Sequence, residues 1–379
     1  MHRFRFLYGP LALTLIAGIA IAVAIVSAEP RQSVAAKRPK PTTFGAVIDP
    51  PQSGRLFAEF EEQDAIILGF NELIQFHHQT LVDLVRAING RVQIIGLISS
   101  PDQEQQVRNL LSQHEVSAES IEFFFWPAVS MWVQDYGPLF LVGDEMRVID
   151  FCYGFPDREA EDQTALAFAA KYGMKIANSR LTMEGGNLLS NGQGFCVTSS
   201  VLIEQNANRG YDFQKIASIL KSDFRMNQWS YLLPLEGEAT GHVDMYLTFV
   251  DPTTVVLGEY AGADDAKNAL RLEKNREILA SVRLEEDKAL KIVRMPMPSR
   301  RDGLWRTYTN VIYANGMVLV PQYPDYCPDL DARALEVYRK LLPDWQVVGI
   351  DASSIIQKRG SLHCISLNVP FLPKADAQE

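Results

Sequence analysis

The chain has 379 residues, with 36 Lys and Arg against 46 Asp and Glu, and a formal charge of −10. Because hydrophobic residues make up 47% and charged residues 22%, the chain can bury a large core, which excludes collagen-like, disordered and small disulfide-scaffold proteins. The acidic balance argues against nucleic-acid binding, since neutralising phosphates needs clustered Lys and Arg, and it suits a cationic small-molecule substrate.

The first 28 residues are predicted to engage the membrane or the export machinery. Arg3 and Arg5 precede an uncharged stretch over 6–28 that ends in Val-Ser-Ala before Glu29. This pattern is typical of a signal peptide, and its removal leaves a charge of 34 − 46 = −12. The 23 residues of the stretch also reach the ~20 needed to span a bilayer, so an uncleaved anchor is the alternative. Either outcome predicts an exported protein, periplasmic or secreted, or held at the membrane by residues 6–28.

Residues 29–54 are predicted to form a solvated linker, because they contain Pro30, Pro39, Pro41, Pro50 and Pro51 and a basic patch over 37–40. At ~150 residues per domain, length alone favours two domains. No stretch after residue 54 resembles an interdomain linker, however. We therefore expect one catalytic domain over 55–372 and a short tail over 373–379.

From residue 55 onward, short β-prone runs alternate with helical patterns. The apolar runs predict strands over 65–69, 92–98, 121–125, 139–142, 196–203, 246–250, 254–257, 292–294, 310–314, 317–321, 346–350 and 363–367. Amphipathic spacing predicts helices over 79–88, 163–172, 213–220, 264–282 and 332–342, and one more that Ser100 caps and Pro101 opens. The excess of strands and turns such as Asn315-Gly316 favour an α/β fold of hairpin-plus-helix modules over a doubly wound sheet.

Two motifs combine carboxylates with turn residues. In the first, Trp132 to Pro138 (WVQDYGP), Asp135 is flanked by aromatic rings, a combination that suits a flat cation stacked on a ring. In the second, Glu184 to Asn187 (EGGN), the glycine pair permits close approach of a ligand or of another chain segment. Alone, the first motif is more typical of a loop cap, and the second is equally typical of a tight turn.

Two further motifs carry a histidine or a thiol. In Gly241-His242-Val243-Asp244, which precedes a predicted strand, period-two geometry places His242 and Asp244 on one side, as a base beside a cation-binding group. Alone, this is also typical of a satisfied polar pair. In His363-Cys364, the thiol is either a small buried hydrophobe or a nucleophile whose thiolate needs a base or a positive charge nearby.

Together and in this order, the four motifs resemble those of the agmatine deiminase and Porphyromonas-type peptidylarginine deiminase family, which modifies guanidino groups. Supporting matches are Ala58-Glu59-Phe60-Glu61 and Tyr308-Thr309-Asn310, and the resemblance extends from about residue 57 to residue 370. It implies a pentein fold, an α/β propeller of pseudo-fivefold ββαβ modules in a single catalytic domain.

The resemblance also implies roles for individual residues. Cys364 matches the nucleophile, His242 the general acid and base, and Asp135 and Asp244 the pair that binds the guanidinium. The remaining matches are substrate-binding or supporting positions, namely Glu184, Asn310 and, through its ring, Trp132. No metal or organic cofactor is implied.

The implied activity is that of an exported cysteine hydrolase that deiminates a guanidino substrate through a covalent thiouronium intermediate. The substrate is agmatine, giving N-carbamoylputrescine and ammonia, or arginine or peptidyl-arginine, giving citrulline. An amidinotransferase of the same fold and a non-catalytic guanidino-binding protein are the alternatives.

Some residues depart from the family pattern or stand outside it. Gln134 occupies the place where the family usually has Arg, and Arg158 is the only candidate near 150–158 for clamping the carboxylate of a peptide. The adjacent His77 and His78 lack further ligands at metal spacing and are predicted to be solvated. If Cys364 is the nucleophile, the three other cysteines allow one disulfide at most.

Overall fold

The computed structural model describes residues 54–262 and 264–373. The predicted leader over 1–28, the predicted linker except Gly54, and the tail beyond residue 373 lie outside the described residues. Within these two ranges, no helix has both the length and the apolar character that crossing a membrane requires.

The N-terminal part of the domain is built on parallel strands. Its elements are, in chain order, β1 (Arg55–Leu56), β2 (Ala65–Leu68), α1 (Phe70–Phe76), α2 (His78–Ile88), β3 (Gln93–Ile98), α3 (Pro101–Gln113) and β4 (Ile121–Phe125). β2, β3 and β4 pair in parallel. Because parallel neighbours need a crossover connection, helices separate these strands along the chain.

Four modules of one pattern follow. The first module consists of α4 (Val133–Tyr136), β5 (Leu139–Val142), β6 (Arg147–Cys152), α5 (Glu159–Asp162), α6 (Thr164–Lys171) and β7 (Lys175–Thr182). The second consists of β8 (Leu188–Ser190), β9 (Phe195–Ser199), α7 (Val201–Ala207), α8 (Phe213–Asp223) and β10 (Gln228–Leu232). The third consists of β11 (Leu247–Asp251), β12 (Thr254–Glu259), α9 (Ala266–Ala280) and β13 (Lys291–Pro296), and the fourth of β14 (Ile312–Tyr313), β15 (Met317–Gln322), α10 (Pro328–Leu341) and β16 (Gln346–Asp351). In each, an antiparallel pair is followed by one or two helices and by a third strand parallel to the second.

The last strand, β17 (Ser366–Val369), completes a fifth module at the other end of the chain. It pairs antiparallel with β2, with Ser366 opposite Leu68, so that β17, β2 and β3 repeat the same pattern. The part of the chain that the structure describes thus forms five sheets of three or four strands. This confirms the predicted α/β propeller of ββαβ modules.

Several local signals act as the sequence predicts. The Ser100 side chain accepts a hydrogen bond from the backbone N–H of Gln103, with Pro101 in the first turn of α3. Asn315 and Gly316 have φ of +41° and +75° between β14 and β15, the two positive values that a type I′ hairpin turn requires. These caps and turns fix where elements begin and end.

The apolar core lies where helices cover the sheets. One face of α2 buries Leu81, Leu84, Val85 and Ile88, spaced by about one helical turn, against a cluster that includes Ile66 and Leu68 of β2. Burial of such a face, at ~25 cal/mol per Å² of apolar area, is the main force that holds a helix to its sheet.

Two strand predictions, and the extended backbone expected for His242 and Asp244, are wrong in ways that bear on the site. The strand predicted over 196–203 ends at Ser199 and α7 follows, because a short apolar run such as Val201 to Ile203 has no period that separates a strand from a helix. The strand predicted over 363–367 begins only at Ser366, after a 3₁₀ turn over His363–Ile365. A second 3₁₀ turn, Val243–Met245, lies just before β11, so His242 and Asp244 do not share an extended backbone.

Candidate active site

The turns that lead into the first strand of each module carry the polar motifs. They hold Asp135 before β5, Glu184 before β8, His242 and Asp244 before β11, Asn310 before β14 and Cys364 before β17. Because each residue occupies the same place in its module, the fold brings widely separated sequence segments to one cluster. Each of these residues, and Trp132, is at most 8% exposed.

Gly186 lies at the centre of this cluster. A Cβ atom there would be 2.8 Å from Nδ1 of His242, 2.9 Å from Oδ2 of Asp244 and 3.0 Å from Oδ1 of Asp135. At Gly185, a Cβ atom would be 2.0 Å from the backbone oxygen of Gln134. The glycine pair of the EGGN motif is therefore explained by close approach of the other turns.

His242 lies between two carboxylates. Its Nε2 is 3.1 Å from Oε2 of Glu184 and its Nδ1 is 3.5 Å from Oδ1 of Asp135. Gln205 holds the other oxygen of Glu184, donating from Nε2 at 2.8 Å. Burial lowers the pKa of His242, but the negative charges of Glu184 and Asp135 outweigh it and raise the pKa to about 10. His242 is therefore protonated near neutral pH, in the form that can donate a proton.

The Cys364 thiol faces Asp244. Sγ is 3.7 Å from Oδ2 of Asp244 and 3.4 Å from Nδ2 of Asn310. Burial, followed by the charges of Asp244 and Asp135, raises the pKa of Cys364 well above its usual value. This environment therefore favours the thiol form of Cys364 over the thiolate.

Asn310 supports the turn that carries the thiol. Its Oδ1 accepts hydrogen bonds from the backbone N–H groups of His363 at 2.9 Å and Cys364 at 3.4 Å. The adjacent Thr309 donates from Oγ1 to the backbone oxygen of Asp244 at 3.2 Å. These bonds tie two of the turns together and favour a supporting role for Asn310.

Trp132 packs against the segment that precedes Cys364. A Cβ atom at Gly360 would be 2.4 Å from Cζ3 of the Trp132 ring, so only glycine fits beneath the indole. Trp132 and Cys364 are 8% and 7% exposed, more than the other predicted site residues.

His363 and Glu59 also belong to the cluster, although they were not predicted as site residues. The Nδ1 atom of His363 is 2.9 Å from Oδ2 of Asp244, and its Nε2 is 2.8 Å from both carboxylate oxygens of Glu59. Burial lowers the pKa of His363, but the charge of Glu59 and the hydrogen bond to Asp244 raise it to about 10. The only sequence signals were an imidazole next to the thiol and a glutamate in the Ala58-Glu59-Phe60-Glu61 match.

Gln134, which departs from the family pattern, and Arg158, the candidate for a carboxylate clamp, both have partners in the structure. Gln134 donates from Nε2 to Oε1 of Glu59 at 3.1 Å. Arg158 donates to Glu161 at 2.8 Å, and the same glutamate oxygen accepts from the backbone of Val129 and Ser130. The guanidinium of Arg158 is thus engaged in holding a loop, which gives no support to a carboxylate clamp.

The prediction for the adjacent histidines is wrong for one of them. His77 is 5% exposed, and its Nδ1 is 3.0 Å from Oγ of Ser354, whereas His78 is exposed. The reason is that the break between α1 and α2 at His77 turns that side chain inward. All four cysteines are free thiols.

Asp135, Glu184 and His242 also form a set of possible metal ligands, with one atom of each within 4.8 Å of the others. Each ring nitrogen of His242 faces a carboxylate oxygen, however, and a protonated imidazole has no lone pair for a metal. The geometry fits a proton-carrying histidine better than a metal ligand. That no metal or organic cofactor takes part stays a prediction.

The chain is similar to known proteins over most of its length. Residues 55–370 match the family model described as Porphyromonas-type peptidyl-arginine deiminase. A "Putative agmatine deiminase" of Latilactobacillus sakei is 26% identical over 305 residues, which cover 69% of this chain and 81% of that protein. Another of the same name, from Selenomonas ruminantium, is 24% identical over 77% of this chain and 87% of its own.

Solved structures have the same fold. The "Putative Arginine Deiminase" from Porphyromonas gingivalis is 25% identical with a TM-score of 0.74, covering 84% of this chain and 100% of its own. The agmatine deiminase of C. jejuni is 21% identical with a TM-score of 0.71, covering 85% and 98%. Because the family model matches most of the domain, this chain belongs to the Porphyromonas-type peptidyl-arginine deiminase family.

Proposed function

We propose that this protein is a cysteine hydrolase that deiminates a guanidino compound, releasing ammonia and a ureido product. The observation that carries the proposal is the meeting of a thiol, a protonated histidine and carboxylates in one buried cluster, namely Cys364, His242, Asp135 and Asp244. Homologues named for agmatine deimination support the same reaction class.

The charge of the site favours a cationic substrate. Four carboxylates, those of Glu59, Asp135, Glu184 and Asp244, stand against the two imidazolium rings of His242 and His363. A guanidinium is planar and always protonated, and carboxylates can bind its N–H groups in pairs. Oδ1 of Asp244 is buried and has no hydrogen-bond partner among residues 54–262 and 264–373, which suits it to accept from the substrate.

Substrate binding also provides a way to activate the thiol. The carboxylates that raise the pKa of Cys364 are the ones that would hold the guanidinium. A cation bound between them offsets their effect and favours loss of the thiol proton, which passes to solvent because His242 and His363 are already protonated. The thiolate would then form only when its target is in place, which protects the cysteine between turnovers.

The reaction then needs one proton donor that later becomes a base. Sγ of Cys364 attacks the guanidinium carbon, and His242 donates its proton to the departing nitrogen, so that the C–N bond breaks and ammonia leaves. The thiouronium adduct that remains is attacked by water, from which the neutral His242 takes a proton. Collapse breaks the C–S bond and releases the ureido product and Cys364.

A product assay tests this function. The protein is incubated with agmatine, free arginine and a peptide with C-terminal arginine, and both ureido product and ammonia are measured. We expect product from at least one substrate and none from a Cys364→Ala variant. Product from Cys364→Ala would exclude the thiol mechanism, and no product from any of the three would contradict deimination of these substrates. Amidino transfer to an added amine without ammonia would favour the amidinotransferase.

We further propose that the protein is exported through its first 28 residues. Its basic and apolar start and its Val-Ser-Ala site support this. After expression in a bacterial host, mass spectrometry of the exported protein should show a chain that begins at Glu29. An intact N-terminus in the membrane fraction would support the anchor instead, and an intact chain in the cytoplasm would contradict export.

A further inference from the structure

His363 is buried beside the thiol but takes no part in the steps proposed above. Its Nδ1 contacts Oδ2 of Asp244 at 2.9 Å and its Nε2 contacts both oxygens of Glu59 at 2.8 Å. Since a carboxylate only accepts, both ring nitrogens must donate, and the ring is an imidazolium. The side chain therefore forms a charged bridge between two carboxylates.

This bridge is held from its far end. Glu59, in the segment after β1, accepts a hydrogen bond from Nε2 of Gln134 at 3.1 Å. Gln134 itself is 2% exposed and directly precedes Asp135. A continuous path of hydrogen bonds thus leads from Gln134 through Glu59 and His363 to Asp244.

The two oxygens of Asp244 have different surroundings. Oδ2 contacts His363 at 2.9 Å and the Cys364 thiol at 3.7 Å. Oδ1 is buried and has no hydrogen-bond partner within the described part of the chain. A carboxylate fixed at one oxygen cannot rotate freely, so the other oxygen keeps a constant direction.

We propose that His363 is a positioning residue that fixes the carboxylate of Asp244 through Oδ2, so that Oδ1 is presented to the guanidinium of the substrate. Glu59 and Gln134 hold the ring from the opposite side and act on the substrate only through it. This inference rests on the proposed function, because it assigns a substrate contact to Asp244.

Two variants with amide side chains test the two ring nitrogens of His363 separately. The amide nitrogen of Asn can replace Nδ1 of the ring, and that of Gln can replace Nε2. His363→Asn therefore keeps a donor for Asp244 and loses the bond to Glu59, whereas His363→Gln keeps the bond to Glu59 and loses the donor for Asp244. A role in packing alone predicts similar behaviour of the two variants.

Binding is measured first, by calorimetry on a Cys364→Ala background with agmatine or arginine as the probe. We expect His363→Gln to weaken binding by roughly 10- to 100-fold, the range for loss of a hydrogen bond to a charged group, and His363→Asn to weaken it less. On the Cys364-containing protein, the KM should rise more in His363→Gln than in His363→Asn. Equal affinities and equal KM values in the two variants would overturn the proposal.

Two further variants control for the possibility that a substitution of His363 unfolds the protein. His77→Gln changes another buried histidine, whose Nδ1 contacts Ser354 outside the site, and should leave probe affinity unchanged. Glu59→Gln removes the carboxylate behind the ring and should weaken binding by a few-fold, even if His363→Gln fails to fold. Unchanged affinity in Glu59→Gln would then count against the bridge. No binding to the Cys364→Ala parent would instead reject the proposed function, and this inference with it.

Discussion

Gly186 is the residue on which the site geometry depends most directly. The three nearest atoms to its missing Cβ belong to His242, Asp244 and Asp135, all within 3.0 Å. Real Cβ atoms do not approach other heavy atoms so closely, and here the neighbours are buried functional groups with little room to move. One hydrogen in place of a methyl group therefore allows the three side chains to meet.

A substitution of Gly186 by Ala tests this directly. We expect kcat/KM to fall by about 100-fold or more, because displacing catalytic groups by ~1 Å has an effect of that size. Turnover of the guanidino substrate and the melting temperature are measured together. Gly262→Ala is the matched control, since a Cβ atom there has no neighbour within 4 Å among residues 54–262 and 264–373. Parental activity in Gly186→Ala would show that the turns meet less closely than described.

At the scale of elements, short helical turns position the chemistry. The 3₁₀ turn His363–Ile365 places Cys364, and the turn Val243–Met245 places Asp244. Neither turn has the length that makes a helix stable alone, so each depends on contacts from its neighbours. For the first of them, that contact is Oδ1 of Asn310, which accepts two backbone hydrogen bonds.

Substitution of Asn310 by Ala should release the turn that carries Cys364. The backbone N–H of Cys364 loses its acceptor, whereas that of His363 keeps the backbone oxygen of Asn310 at 3.2 Å. The cost is about 1–3 kcal/mol when no water replaces the lost acceptor. We expect a lower free energy of unfolding and a clear loss of kcat. As a control, Ser100→Ala removes the cap of α3 and should lower stability by about 1 kcal/mol while kcat stays unchanged. Equal kcat values in the two variants would contradict a role for Asn310 in positioning the thiol.

At the scale of the whole molecule, the charged histidines of the site make the free energy of unfolding depend on pH. His242 and His363 both have a pKa of about 10 in the folded protein, although burial opposes it, because carboxylates face them. An unfolded histidine titrates near 6.5. Between these values the folded chain holds two protons that unfolding releases.

Stability should therefore fall as the pH rises from about 7 toward 10. The contribution is fully present below about pH 6.5 and decreases by at most ~1.4 kcal/mol per pH unit for each histidine. The raised pKa values of Cys364 and Cys196 act in the same direction above about pH 8.5. Urea unfolding at pH 6, 7, 8 and 9 measures this, and His363→Asn should show a shallower slope. Stability that stays flat or rises over this range would contradict the pairing of these histidines.

The sequence predicted the structure best where the signal lies within a few neighbouring residues. The capped start of α3 at Ser100 and the hairpin at Asn315-Gly316 follow from side-chain and backbone chemistry within a few residues. The predictions from sequence were wrong where contacts from distant segments decide the conformation. Asp244 lies in a 3₁₀ turn where an extended backbone was expected, and His77 is buried where it contacts the distant Ser354.

By itself, the sequence determined the kind of fold and the chemical groups available, because turn residues, apolar runs and the four motifs are local properties of the chain. Only the tertiary structure decided how these groups are paired. His363 contacts both Asp244 and Glu59. Gln134 donates its side-chain hydrogen bond to Glu59, which is distant from it in the sequence. The physical reason is that the five turns meet only when β17 joins β2, and long-range contacts of this kind leave no trace in local pattern.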